Sequence, residues 1–244
     1  MKSLLLMIVF FTRIPIKYKH EYREEDLKRG IIYFPLIGLI IGVLIWLPSL
    51  AEDFLDKPVI ILISWIIYLW LTGGLHIDGL ADTFDGIFSN RNKDRMLEIM
   101  KDSRIGTFGV LGIIFVILSN LVISFYIDYR FLLLLPVVGR TSALISASIS
   151  QYARKEAGMG TTFINNCKLK EVLIGIIFTL TISTLIINYK AGLITLITFI
   201  LVLIQTSYIK NKINGATGDT LGFIIEISQT IFIFTAYLLK EIII

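Results

Sequence analysis

The chain has 244 residues, of which 55% are hydrophobic and only 17% are charged, and its formal net charge is +4. Soluble domains carry about 25% charged residues, so this composition excludes a disordered chain, a coiled coil and an ordinary soluble enzyme. It indicates a polytopic membrane protein whose basic balance reflects topology, and nucleic acid is not an expected partner. A single cysteine excludes an intrachain disulfide, and one cysteine with two histidines supplies too few ligands for a structural zinc site.

The first apolar segment of the chain is too short to cross a bilayer. Lys2 precedes the sequence LLLMIVFF, which is similar to the apolar core of a signal peptide, but no small-residue cleavage site follows. We therefore expect residues 3–11 to form a retained interfacial or half-inserted helix rather than a cleaved signal.

Seven apolar runs of about 18–22 residues follow, and each is long enough to span a bilayer as a helix. The runs lack the two-residue alternation of strands, and backbone amides in hydrocarbon must be paired within their own segment. The sequence therefore predicts an all-α transmembrane bundle that forms a single domain over residues 1–244. The runs are 31–50, 58–75, 106–127, 131–149, 172–189, 191–209 and 221–239.

Lysine and arginine alternate in number between the segments that flank these runs. The counts along the chain are seven, one, five, one, four, one, two and one. Because basic residues favour the cytoplasmic side, the N-terminus and the segments 76–105, 150–171 and 210–220 are predicted to be cytoplasmic. The polar chemistry described below then lies on one side of the membrane.

Three aspartates follow the second run, within the sequence GGLHIDGLADTFDG at residues 73–86. Asp78, Asp82 and Asp85 stand at i, i+4 and i+7, which places them within roughly 60° of one another on a helix. Like charges on one face repel, and residues 58–90 contain no lysine or arginine to neutralise them. Carboxylates select Mg²⁺, Mn²⁺ or Ca²⁺, so we predict a divalent cation here. The alternative is an acidic, solvated helix start favoured by the helix dipole.

Basic residues that suit phosphate oxygens lie in the next two segments. Lys101, Asp102 and Arg104 directly precede the third run, beside small residues that admit a phosphate. Arg140 lies inside the fourth run, where a cation costs on the order of 3 kcal/mol. We expect Arg140 to face the bundle interior and meet an aspartate or a substrate phosphate; a snorkelling, purely structural arginine is the alternative.

Two glycine-rich loops belong to the same predicted side. Residues 152–163 contain Arg154, and residues 214–222 contain Asp219 at the entry to the last run. Such loops can cradle phosphates, although their spacing fits neither a P-loop nor a dinucleotide fingerprint. Asp219 is either part of this site or a helix N-cap, whereas Glu226, deeper in the run, favours a functional role. Together these groups indicate metal-assisted phosphoryl transfer at a membrane.

Four sequence blocks resemble the cobalamin-5′-phosphate synthase family, also called adenosylcobinamide-GDP ribazoletransferases. They occur in the family's order, and FTRIPI at residues 11–16 is similar to the family's opening. Lys155 stands where the family commonly carries proline. The blocks are GGLHIDGLADTFDG (73–86), MLEIMKDSRIGTFGVLG (96–112), YARKEAGMGTTF (152–163) and NGATGDTLG (214–222).

The resemblance implies an integral transferase of the cytoplasmic (inner) membrane that performs the last assembly step of the cobalamin nucleotide loop. Adenosylcobinamide-GDP and α-ribazole, or its 5′-phosphate, would give adenosylcobalamin, or its 5′-phosphate, and GMP, with Mg²⁺ required. The family's acidic motif maps onto Asp78, Asp82 and Asp85, which we expect to hold Mg²⁺ on the pyrophosphate. One of them, or Asp102, is the expected base. The expected phosphate contacts are Lys101, Arg104, Arg140, Arg154 and Asp219. The resemblance leaves open a homo-oligomer or an association with other cobalamin-assembly enzymes.

Two other classes of protein share some of these features. CDP-alcohol phosphotransferases also carry spaced aspartates, but their signature D-x2-DG-x2-AR has arginine after the alanine, where this chain has Asp82. A cation or vitamin transporter is expected to place charges near the middle of several spans and often to show repeated halves. Here the carboxylates gather in one segment and no repeat is visible.

Overall fold

A computed structural model describes residues 2–19 and 21–240. Within these residues the chain folds into α-helices joined by short turns, and the only β-type pairing is a single bridge between Tyr152 and Ala216. The α-helices are α1 (Lys2–Phe11), α2 (Glu24–Gly30), α3 (Phe34–Trp46), α4 (Lys57–Thr72), α5 (Leu75–Ile87), α6 (Lys93–Ile99), α7 (Thr107–Ser124), α8 (Arg130–Ser148), α9 (Met159–Asn166), α10 (Leu169–Ile186), α11 (Tyr189–Ile213) and α12 (Gly218–Leu238).

Six helical stretches in the described part of the chain are long and apolar enough to cross a membrane. A seventh candidate is broken, because α4 and α5 pass the same test together but meet at an angle of 85°. The predicted all-α bundle and the shorter apolar helix at its start are therefore confirmed. The uninterrupted candidates are Glu24–Ala51, Thr107–Ser124, Arg130–Ser148, Leu169–Ile186, Tyr189–Ile213 and Gly218–Leu238.

The outer surface of the bundle is apolar. Phe115 on α7 and Leu185 on α10 are 62% and 78% exposed, and many other large apolar side chains of these two helices and α11 are also exposed. In water so much exposed apolar surface would promote aggregation, whereas in a bilayer it contacts lipid. This surface supports the multi-pass membrane arrangement that the hydropathy of the chain predicts.

The break between α4 and α5 depends on two glycines. Gly73 and Gly74 have φ angles of 63° and 74°, in the left-handed region that residues with a Cβ adopt only at a cost. The chain therefore turns sharply and begins a second helix. The segment 76–105, which hydropathy leaves between two spans, begins with α5, the helix that the aspartate spacing indicates, and α5 packs against α7 and α12. Its aspartates and glycines lower its hydropathy enough to hide it among loop residues.

Helix α8 is the centre of the bundle. Nearly all of its residues are buried, and α3, α12 and α10 pack around it. Gly38 and Gly42 on α3 allow the closest approach, since an added Cβ at these positions would overlap the backbone of α8 at Pro136 and Leu133. This G-x-x-x-G pattern therefore serves helix packing within the bundle.

The loops between spans gather at two ends of the bundle. At one end, Lys57 Nζ donates to the Ile127 carbonyl (2.7 Å), and Arg130 donates to the Ile186 carbonyl (3.2 Å). At the other end, the Ala153 amide donates to the Ala216 carbonyl (2.9 Å). The segments rich in lysine and arginine meet at this second end, and the candidate site lies there.

Candidate active site

Helix α5 carries the three predicted aspartates, and Asp85 caps the start of α7. Its two carboxylate oxygens accept hydrogen bonds from the backbone amides of Gly106 (2.7 Å) and Gly109 (2.9 Å). Both positions are glycine because an added Cβ would approach the Asp85 carboxylate to 2.5 Å. A carboxylate at a helix N-terminus is stabilised by the helix dipole and by the free amides there. Asp85 therefore fixes α5 against α7.

Asp78 and Asp82 are less constrained than Asp85, and a fourth carboxylate joins them from α12. Asp78 is exposed and Asp82 is partly buried. The charges that act on Asp82 are those of Asp219, Asp78 and Asp85, which repel it, and of Arg154, which attracts it. The sequence predicts Asp219 as a phosphate contact, but nothing in the sequence connects it with the α5 aspartates.

Glycines bring α5 and α12 together at this point. An added Cβ at Gly79 would lie 2.7 Å from the Asp219 carbonyl oxygen, and one at Gly222 would lie 3.0 Å from the His76 carbonyl oxygen. The two backbones thus touch where the acidic side chains meet. The sequence signal for this contact is a small residue on each helix one turn from an aspartate, although such a signal does not identify its partner.

Asp219 forms an ion pair rather than an N-cap. Arg154 Nη2 donates to Asp219 Oδ2 at 2.6 Å, and both side chains are largely buried. Thr217 is the N-cap of α12, because its hydroxyl accepts from the Thr220 amide (3.2 Å) while Thr220 Oγ1 accepts from the Thr217 amide (2.8 Å). Arg154 thus joins the second glycine-rich loop to the first, as the bridge between Tyr152 and Ala216 also does.

The basic block before α7 lies at the exposed edge of the site. Arg104 donates to both oxygens of Asp102, at 3.0 and 2.7 Å, and Lys101 pairs with Glu156. The hydrogen bonds from Arg104 lower the pKa of Asp102 to about 2. A carboxylate with so low a pKa is a weak base, so Asp102 is poorly suited to accept a proton from a hydroxyl group.

Arg140 faces the bundle interior, as predicted. It is fully buried, its Nη1 lies 3.5 Å from the Pro136 carbonyl, and its Nε and Nη2 have no hydrogen-bond partner among the described residues. Its charge acts on Glu226, Tyr68 and His76. Glu226 accepts a hydrogen bond of 2.6 Å from the Tyr68 hydroxyl. The acidic residue on which the charge of Arg140 acts is therefore Glu226 of α12 rather than one of the α5 aspartates.

A cavity of about 250 Å³ opens beside the acidic cluster. Its polar side includes Asp78, Arg154 and Asp219, with backbone supplied by glycines of α9 and α12. Its apolar side is aromatic and includes Phe10, Phe11, Phe34 and Phe163. Lys101, Asp102, Arg104 and Arg140 do not line it. The cavity therefore has one charged and one aromatic side, as suits a ligand that carries both a phosphate and a flat ring.

The acidic cluster has the donors that a hard cation prefers. Among the described residues, no three His, Cys, Asp or Glu side chains converge as the ligands of a bound metal do. Nevertheless, three carboxylates repel Asp82 and Arg154 offsets them with one positive charge. Carboxylate oxygens in excess over nearby cations fit Mg²⁺ in chemical type.

Comparisons with known proteins identify the family of this chain. The family model described as cobalamin-5-phosphate synthase matches residues 3–237. The adenosylcobinamide-GDP ribazoletransferase of Alkaliphilus oremlandii is 53% identical, with all of both chains covered. The protein of that name from Acetivibrio thermocellus is 43% identical, over 98% of this chain and 99% of its own length. The one from Clostridium acetobutylicum is 44% identical, over 97% of this chain and 96% of its own length. No solved structure matches the chain. The chain, a transferase with several membrane-spanning helices, therefore belongs to the cobalamin-5-phosphate synthase family.

Proposed function

We propose that this protein joins adenosylcobinamide-GDP to α-ribazole, or to its 5′-phosphate, and releases GMP. A hydroxyl oxygen of the ribazole attacks the phosphorus that is attached to cobinamide. The bond between this phosphorus and the bridging oxygen breaks, and GMP leaves with the electron pair. The observation that best supports this reaction is the position of Asp78, Asp219 and Arg154 on one cavity, next to Asp82.

Of the three predicted ligands Asp78, Asp82 and Asp85, we propose that the first two hold Mg²⁺. When bound, the ion supplies charge neutralisation for the pyrophosphate and for the leaving GMP. Asp85 contributes mainly by orienting α5, since both of its oxygens already accept backbone N–H groups. The hydroxyl proton passes to a carboxylate of the acidic cluster rather than to Asp102, which does not line the cavity.

Arg154 is the proposed principal phosphate contact. It lines the cavity, and its Nε has no hydrogen-bond partner among the described residues, so it can bind an incoming phosphate oxygen. Lys101 and Arg104 lie at the edge, where they can exchange their exposed acidic partners for substrate phosphates. Arg140 is fully buried and does not line the cavity, so we do not assign it to a substrate phosphate.

The site is proposed to face the cytoplasm from the inner membrane. The four segments with the most lysine and arginine are the N-terminal one and the three that supply the glycine-rich loops and the aspartates. In this orientation the reacting groups are accessible to the charged, water-soluble substrates of the cytoplasm.

The reaction is tested with purified protein in nanodiscs. GMP release should require both adenosylcobinamide-GDP and α-ribazole, and addition of a chelator should abolish it until excess Mg²⁺ is restored. GMP formation at the same rate without ribazole would indicate hydrolysis rather than transfer. Full activity in the presence of chelator would rule out the metal proposal while leaving the transfer reaction intact.

A further inference from the structure

The aromatic side of the cavity is built from three separate parts of the chain. The ring centroid of Phe11, at the end of α1, lies 4.7 Å from that of Phe34 at the start of α3. The ring centroid of Phe34 lies 5.1 Å from that of Phe163 in α9. Phe34 and Phe163 are 2% and 4% exposed. Contacts over such sequence distances make a pre-formed wall, and α1 is an integral part of it.

His76 lies on the same cavity with its hydrogen-bonding groups unused. It is 3% exposed, and neither ring nitrogen has a hydrogen-bond partner among the described residues. Its ring meets Phe11 edge-on, with 6.3 Å between the ring centroids. A buried polar nitrogen without a partner is costly, so this arrangement favours a ligand that supplies one.

The size and polarity of the aromatic side of the cavity limit which ligand group can bind there. We use the term aromatic chamber for the part of the cavity lined by Phe10, Phe11, Phe34, Phe163 and His76. The whole cavity, with its charged side included, has a volume of about 250 Å³, so its aromatic part has the size of a bicyclic ring. The edge of guanine carries several donors and acceptors that four phenylalanines leave unsatisfied. A planar base with an apolar edge and one free ring nitrogen fits the chamber better.

We propose that the aromatic chamber binds the base of the ribazole acceptor. The base stacks against the phenylalanines, and His76 donates a hydrogen bond to the ring nitrogen that carries no ribose. The ribose then extends toward Asp78 and Arg154 on the polar side of the same cavity. This inference depends on the function proposed above, and it assigns α1 to acceptor binding.

Binding of the acceptor alone is the direct test. Calorimetric titration of the nanodisc-held protein with α-ribazole should show that Phe163→Leu weakens binding about tenfold or more, because stacking on an aromatic ring is lost. His76→Leu should weaken binding similarly, whereas His76→Asn, which keeps an N–H donor, should retain more of the affinity. Phe115→Leu is the matched control, since Phe115 is exposed on the outer face of α7, and its affinity should equal that of the wild type.

Kinetic measurements separate the two substrates. Phe163→Leu should raise the KM for α-ribazole about tenfold and change the KM for adenosylcobinamide-GDP less than twofold, because only the acceptor contacts this ring. An unchanged affinity for ribazole, or a raised KM for adenosylcobinamide-GDP instead, would overturn the chamber assignment while transfer continued. Absence of GMP release from the wild type would overturn the proposed function itself.

Discussion

Asp85 combines a predicted place on the acidic face of α5 with a capping contact that its sequence neighbourhood does not indicate. The i, i+4, i+7 spacing places it with Asp78 and Asp82, as a helix requires. That spacing gives no information about Gly106 and Gly109, which lie more than twenty residues away and occupy both oxygens of Asp85. The sequence could therefore predict the acidic face of α5, but not the tertiary contact that holds that face in place.

Removal of the Asp85 carboxylate should destabilise the protein independently of metal. Asp85→Ala leaves two amides at the start of α7 without their acceptor, and we expect a loss of roughly 1–3 kcal/mol. Asp85→Asn keeps a carbonyl acceptor and should lose less. Unfolding is measured by heating nanodisc-held protein in excess chelator. Equal stability of the wild type and Asp85→Ala under that condition would contradict the capping role.

Cys167 should be chemically inert in the folded protein. It is 5% exposed, its thiol lies 3.4 Å from the Leu144 carbonyl, and burial raises its pKa to about 12. The reactive form is the thiolate, so a raised pKa leaves very little of it at pH 8. Maleimide should label the chain at pH 8 only after unfolding in detergent. Rapid labelling of the native protein would show that Cys167 is accessible.

At the scale of elements, hydropathy predicted the spans but not the bend of 85° that divides one of them into α4 and α5. Runs of apolar residues identified every candidate span, with boundaries displaced by a few residues. The aspartate spacing indicated that α5 is a helix, but not that it belongs to the bundle. Its aspartates and glycines make it polar by composition, and only its packing against α7 and α12 makes it part of the bundle. The aromatic chamber was also missed, because its phenylalanines are far apart in the chain.

The bend at residues 73 and 74 can be tested at Gly74. Its φ is 74°, and an added Cβ would meet nothing within 4 Å, so any cost of Gly74→Ala arises from the backbone alone. We expect a loss of stability of roughly 1–2 kcal/mol. Gly74→Asn is the matched variant, because asparagine tolerates the left-handed region, and its loss should be smaller. A fully stable Gly74→Ala protein would indicate that the bend is not required.

At the scale of the whole molecule, the charge series predicts which end of the bundle faces the cytoplasm. Since native Cys167 is buried, single added cysteines can be labelled without removing it. Ala157→Cys and Asn211→Cys lie at the end that contains the site, and Asp53→Cys lies in the exposed turn at the opposite end. In intact cells, an impermeant maleimide should label only Asp53→Cys. Labelling of all three from the same side would refute the predicted topology.

Asp82 is the residue whose replacement tests most directly whether the α5 carboxylates form the active site of the bundle. This side chain is partly buried on α5, where Asp78, Asp85 and Asp219 act on it, so its removal should lower turnover in the GMP-release assay by orders of magnitude. Asp53→Ala is the matched control, because Asp53 is exposed at the opposite end of the bundle. The account predicts that Asp82→Ala expresses and folds like the wild type but transfers almost nothing, while Asp53→Ala is fully active. Near-normal turnover by Asp82→Ala would contradict the assignment of the α5 carboxylates as the active site.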